Sequence, residues 1–184
     1  FWLDGADPAW EHYAPMMPWL VPHGLAGVIA LLLGAAQFSS RLRARHLAWH
    51  RRIGRSYLAC VCIAAPLGVL IAWQGGGRGD PPSLVVAGML DGLLWLAASA
   101  MAFISIRQRR IDAHRRWMIR SYALALVFLE VRFLLGITGL GALGIVAVDI
   151  MVWSCVALAI PLADLVLHFA ELPPGRAVAP GPAV

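Results

Sequence analysis

The chain has 184 residues, of which 60% are hydrophobic and only 14% are charged. Soluble domains are roughly 45–50% apolar, so this chain cannot cover a soluble surface, and we expect most of it to face lipid. The net charge of +5 would suit nucleic acid. However, arginine clustered in an apolar chain first indicates membrane orientation, so we expect no nucleic-acid partner.

The sequence divides into an N-terminal segment, a helix bundle and a C-terminal tail. Residues 1–17 mix Trp, Met, Pro and acids, and we expect an interfacial segment on the outer side of the membrane. Residues 18–169 form the predicted bundle, and the Pro-, Gly- and Ala-rich tail 170–184 is predicted to be disordered and cytoplasmic. The fold class is therefore all-α, a polytopic transmembrane helix bundle. Crossing the membrane requires about 20 residues, and each of the five predicted spans is long enough. They lie near 18–39, 55–74, 83–105, 117–137 and 143–168.

Orientation follows from the arginines. Twelve of the 15 lie in or beside two short loops, after the first and third spans, while the loops at the opposite end hold only Arg78. By the positive-inside rule both arginine loops are cytoplasmic, the N-terminus is outside and the C-terminus is cytoplasmic. Anionic lipid headgroups are the expected partners of these arginines. They are Arg41, Arg43, Arg45, Arg51, Arg52 and Arg55, then Arg107, Arg109, Arg110, Arg115, Arg116 and Arg120.

The two arginine loops contain a repeated sequence motif. "HRRIGRSY" at 50–57 is repeated as "HRRWMIRSY" at 114–122, and we call these segments the first and second cassettes. The offset of 64 to 65 residues also aligns Phe38 with Phe103 and Gly27 with Gly92. Each cassette follows an inward span and opens an outward one. We therefore predict a core of two repeated helix hairpins plus one additional helix, as in transporters with parallel repeats.

The cassettes also carry a family resemblance. The segments "PHGLAGVIALLLGAAQF", "HLAWHRRIGRSY" and "DAHRRWMIRSYALALVFLEVRFLLG" resemble a bacterial family of predicted multi-span membrane proteins of unknown function. The resemblance covers roughly residues 19–137 and is most specific in the two cassettes. It implies a four-helix core with cytoplasmic cassettes in the bacterial inner membrane. It implies no established activity, so no catalytic residue is carried over.

Each cassette offers a histidine and an arginine as candidate ligand-binding residues: His50 and Arg55, His114 and Arg120. One interpretation is that they bind lipid headgroups and fix topology. The other is that the two arginines hold an anionic ligand, such as haem propionates or a phosphate, because Arg suits bidentate anion recognition.

Ionisable residues inside the spans are costly and are functional candidates by default. Five fall in the predicted outer half: His23, Asp91, Glu130, Arg132 and Asp149. A structural interpretation pairs Arg132 with one of the three carboxylates. A functional interpretation is an outward-facing polar pocket for a quinone head group, a proton path or a cofactor.

Haem b is the second candidate cofactor. His23 would be one axial ligand, and Met89 lies at comparable depth as the other. No standard metal motif or catalytic motif is present, so we assign no metal and leave open whether the protein is an enzyme. Small residues in the first span predict close helix packing: Gly24, Ala26, Gly27, Gly34, Ala35 and Ala36.

Two functions remain. We favour a small-ligand or redox-cofactor binding subunit of membrane electron transfer that depends on His23. The alternative is a non-catalytic accessory subunit of a larger respiratory or photosynthetic complex, which the Trp-rich N-terminus and the fifth span favour. A transporter ranks third.

Overall fold

A computed structural model describes residues 14–171 of the chain. Most of the predicted interfacial segment and nearly all of the predicted tail lie outside these residues. A single 3₁₀ turn, Ala14–Met16, leads directly into the first long helix. The described residues contain no strand, which confirms the all-α prediction.

Within residues 14–171, five long helices are apolar enough to cross a membrane, in agreement with the five predicted spans. We number them α1 to α5 and leave the short helix Ser40–Arg45, between α1 and α2, without a number. The bounds are α1 Met17–Gln37, α2 Leu47–Gly76, α3 Pro82–Arg107, α4 Ile111–Thr138 and α5 Ile145–Glu171. Because α2 and α4 begin well before the predicted span starts at 55 and 117, both cassettes are helical throughout.

Local chemistry explains where the helices end. The Ser39 hydroxyl caps the short helix by accepting the Leu42 N–H at 3.2 Å. Arg109 (φ 59°) and Gly139 (φ 68°) turn the chain after α3 and α4, and glycine takes the left-handed conformation without steric cost. The short helix and the turn 108–110 lie together at what we call the arginine end. The loops 77–81 and 139–144 lie at the opposite glycine end.

Each helix packs mainly on its neighbour in sequence: α1 on α2, α2 on α3, α3 on α4 and α4 on α5. The fifth helix also touches α3, whereas α1 and α4 share only a narrow contact. Small residues allow the close approaches. In α1 these are Ala26, Ala30 and Gly34, which are buried. Gly24 and Gly27 face open space, so the predicted packing role is wrong for those two.

The predicted hairpin repeat stays a prediction. The helix order accommodates two hairpins, α1–α2 and α3–α4, with α5 added. Positions that the repeat aligns nevertheless differ in environment: Gly92 lies against α2, while a Cβ atom added to Gly27 would meet no neighbouring atom within 4 Å. Phe38 packs edge-on against Tyr122, although Phe38 and Phe103 are both exposed. The extensive α2–α3 contact also has no equal between α4 and α1.

Candidate functional site

The two cassettes meet inside the bundle through their last residues. The Tyr57 hydroxyl lies 2.7 Å from the Ser121 hydroxyl, which lies 2.7 Å from that of Ser99. The indole N–H of Trp95 donates to Tyr57 Oη at 3.2 Å. Tyr57 and Ser121 are completely buried, so this network joins α2, α3 and α4 where no solvent competes.

The tyrosines of both cassettes also converge on α1. A Cβ atom added to Gly34 would lie 2.5 Å from the Tyr122 ring and 3.1 Å from the Tyr57 ring. The Tyr122 hydroxyl donates to the Leu31 carbonyl at 3.2 Å. The aromatic ends of the cassettes are therefore packing elements, a role that the sequence analysis missed.

The histidines of the cassettes occupy matching positions. His50 precedes Tyr57 by seven residues, and His114 precedes Ser121 by seven, so each lies two turns closer to the arginine end on the same helix face. His114 Nδ1 donates to the Ala102 carbonyl at 2.9 Å. His50 Nδ1 is buried and has no hydrogen-bond partner among the described residues.

The arginines of the cassettes are not equivalent. Arg120 Nε donates to Asp164 Oδ1 of α5 at 2.7 Å, and its guanidinium lies 4.7 Å from the centroid of the Trp117 ring. Arg55 is exposed. The structure thus gives Arg120 an internal partner, so the sequence-based hypothesis of two symmetrical arginine forks is not the arrangement observed.

The five ionisable residues toward the glycine end do not form one cluster of ion pairs. The Ser83 hydroxyl donates to Asp149 Oδ2, linking α3 to α5. Arg132 is exposed and forms no ion pair with any described residue, so this part of the chain gives no support to the interpretation that pairs it with a nearby carboxylate. Glu130 lies within electrostatic range of Cys155 on α5.

Asp91 is the most isolated of these residues. It is 4% exposed, and its Oδ1 atom has no hydrogen-bond partner among the described residues. It shares the inner face of α3 with Trp95 and Ser99, and so lies one turn from the hydroxyl network.

His23 and Met89 contact different surroundings. His23 Nδ1 donates to the Ala64 carbonyl of α2 at 2.8 Å, and its ring lies against Gly68. Met89 instead faces a cleft at the glycine end that His23 does not line. Because α1 and α3 are not packing neighbours, the structure gives no support for a haem held between these two residues.

The cleft lies between the end of α2 and the start of α3 and has a volume of about 760 Å³. Trp73, Gln74, Arg78 and Asp80 line its polar part, and Val85, Val86 and Met89 line its apolar wall. Arg78 Nη1 donates to the Gln74 carbonyl at 3.0 Å. The chemistry therefore changes from polar at the loop to apolar along α3.

Five long apolar helices that expose large hydrophobic side chains define a polytopic α-helical membrane protein. Its loops are short, and the ionisable side chains of its spans are few. The chain belongs to the predicted membrane protein family DUF2306, whose sequence profile matches residues 20–167. This confirms the predicted resemblance to a family of multi-span membrane proteins of unknown function.

A stretch of 79 residues is 33% identical to Ava biosynthesis cluster protein G of Aspergillus versicolor. That stretch spans 43% of this chain but only 22% of the fungal protein. No solved structure matches the chain.

Proposed function

We propose that this integral membrane protein binds a lipid-soluble quinone-type ligand in the glycine-end cleft and so takes part in membrane electron transfer. The observation that carries the proposal is the lining of the cleft, which changes from polar at the loop to apolar along α3. Its volume of about 760 Å³ falls within the about 300–1,000 Å³ typical of small-molecule sites. Its opening between two membrane helices suits a ligand that arrives through the bilayer.

The polar part of the cleft supplies donors for a quinone carbonyl. A guanidinium carries five N–H donors, and Arg78 directs Nη1 to Gln74, which leaves other donors for a ligand oxygen. The Trp73 indole is 67% exposed and offers a face on which the quinone ring stacks. The isoprenoid tail would then lie along Val85, Val86 and Met89.

Haem is the less favoured cofactor for this chain. A six-coordinate b-type haem between two helices needs an axial ligand from each, and His23 and Met89 lie on helices that are not packing neighbours. The proposal therefore replaces His23 with Arg78, Gln74 and Met89 as the residues on which binding depends.

The test is purification of the full chain in mild detergent, followed by solvent extraction and quantification of quinone per protein. We expect about one quinone per chain in the unsubstituted protein, one copy being what a cleft of this volume accommodates. Met89→Trp should reduce the ratio of quinone to protein severalfold, because the indole would fill the space beside the apolar wall of the cleft. His23→Ala should leave the ratio unchanged, since His23 lies outside the cleft.

Leu129→Trp is the matched control, because it adds the same indole at an exposed position of α4 outside the cleft. The proposal fails if Met89→Trp retains as much quinone as Leu129→Trp. It also fails if the unsubstituted protein carries no more quinone than unrelated membrane proteins purified alongside it. A haem absorbance band that disappears in His23→Ala would favour haem instead.

A further inference from the structure

The arginine end gathers arginine and histidine side chains from three elements around His50. Arg43 of the short helix, Arg51 beside His50 in α2, and His114 of α4 all lie within electrostatic range of the His50 ring. The hydrogen bond between Tyr57 and Ser121 independently supports this arrangement. It fixes α2 against α4 two turns away, and both histidines lie on the faces that carry that bond.

In the part of the chain that the structure describes, the charges that act on the His50 ring come from two arginines and a histidine, and none comes from a carboxylate. Segments 38–59 and 104–122 contain twelve arginines and one acid, Asp112. The first turn of α2 has no acidic residue and no side-chain cap, so the positive end of the helix dipole adds to the cluster. Like charges held together repel one another unless an anion lies between them.

His50 itself points to a ligand. Its Nδ1 atom is buried without a hydrogen-bond partner among the described residues, although buried polar atoms in proteins are nearly always paired. Its backbone carbonyl is occupied, since it accepts the Gln37 side-chain amide at 3.0 Å. The imidazole is therefore the unsatisfied part of this residue, and it lies among arginines.

We propose that His50, Arg43 and Arg51, with His114 beside them, form a binding site for a phosphate group. Arginine donates paired, charge-assisted hydrogen bonds to phosphate oxygens, and the His50 imidazole provides a further donor. The phosphate belongs either to a lipid headgroup or to a free solute, and the chemistry of recognition is the same for both. This site lies at the opposite end of the bundle from the quinone cleft and is independent of it.

The experiment measures the thermal unfolding midpoint of the full chain in nanodiscs at constant ionic strength. One arm titrates inorganic phosphate with phosphatidylcholine as the only lipid. The other arm replaces a rising fraction of that lipid with phosphatidylglycerol. The site variant is Arg43→Gln with Arg51→Gln, and Arg51→Gln alone serves if the double variant does not fold. The matched control is Arg41→Gln with Arg45→Gln, which removes equal charge from two arginines of the short helix that are exposed, as Arg43 and Arg51 are.

We expect the unfolding midpoint to rise and then to saturate as the phosphate or the phosphatidylglycerol increases. The apparent affinity for the phosphate group should fall about tenfold or more in the site variant, because charge-assisted bonds are roughly twice as strong as neutral ones. The control should respond like the unsubstituted protein. A response in the phosphate arm identifies a free phosphate ligand, and a response confined to the phosphatidylglycerol arm identifies a headgroup. The proposal is overturned if neither arm gives a saturable response, or if the site and control variants respond alike.

Discussion

Tyr57 is the residue on which the interior of the bundle depends most. Its hydroxyl accepts from Trp95 and contacts Ser121, and its ring lies against Gly34. We expect Tyr57→Phe to lower the free energy of unfolding by about 1 kcal/mol. Interhelical hydrogen bonds in membranes average about 0.6 kcal/mol, and the buried Trp95 N–H would lose its acceptor, which adds to the cost.

Unfolding of the purified protein in mixed micelles by titration with sodium dodecyl sulfate measures this difference. Tyr122→Phe is the matched control, because the repeat aligns Tyr122 with Tyr57 but its hydroxyl makes a single half-buried bond to a carbonyl. If Tyr57→Phe costs no more than Tyr122→Phe, the network contributes little and the ring packing alone matters.

Between elements, Gly92 allows α3 to pack closely against α2. A Cβ atom on Gly92 would lie 2.8 Å from Val69 Cγ2 and 3.1 Å from the Ala65 carbonyl oxygen. Because one of these atoms belongs to the backbone, the helices would have to separate. We expect Gly92→Ala to destabilise the bundle by about 1–3 kcal/mol, the usual cost of overpacking.

Gly27→Ala makes the same change at the position that the repeat aligns with Gly92, where no atom lies within 4 Å. We expect it to be neutral or slightly stabilising, since alanine favours a helix over glycine. The same detergent titration compares the two variants. Equal effects would mean that the α2–α3 contact tolerates a wider spacing than the structure has.

At this scale the sequence predicts some features well and others poorly. The five spans follow from hydropathy, which is a property of each segment by itself. The early starts of α2 and α4 do not, because hydropathy detects only the lipid-facing part of a helix. The network of Tyr57, Ser121 and Ser99 depends on how three helices are rotated against one another. A single sequence contains no direct measure of that rotation, so Ser121 gave no signal.

The same limit explains why the arrangement at the candidate site differs from the sequence-based interpretations. Similar depth suggests that Arg132 pairs with a carboxylate, but depth does not say which face a residue occupies. His23 and Met89 share a depth as well, yet lie on helices that are not packing neighbours. Asp164 faces Arg120 only because α5 packs against α4 in the observed register.

For the whole molecule, the up-and-down order of the helices places both arginine loops at one end. Arginines near an anionic membrane surface contribute about 1 kcal/mol each, so twelve of them at one end against Arg78 at the other strongly favour one orientation. We therefore predict that the arginine end is cytoplasmic and that the N-terminus lies outside.

Labelling with a membrane-impermeant maleimide tests this orientation in spheroplasts. The background variant replaces Cys60, Cys62 and Cys155 with alanine, which removes every native thiol. Leu143→Cys and Gln108→Cys then place single thiols at exposed positions of the glycine and arginine ends without altering any charge. We expect the thiol at 143 to react in intact spheroplasts and the thiol at 108 to react only after permeabilisation.

The reverse pattern would place the phosphate site outside the cell and the quinone cleft inside, since the two lie at opposite ends of the same helix bundle. Reaction of both thiols in intact spheroplasts would mean that the protein inserts in both orientations and that the arginine asymmetry does not control its topology.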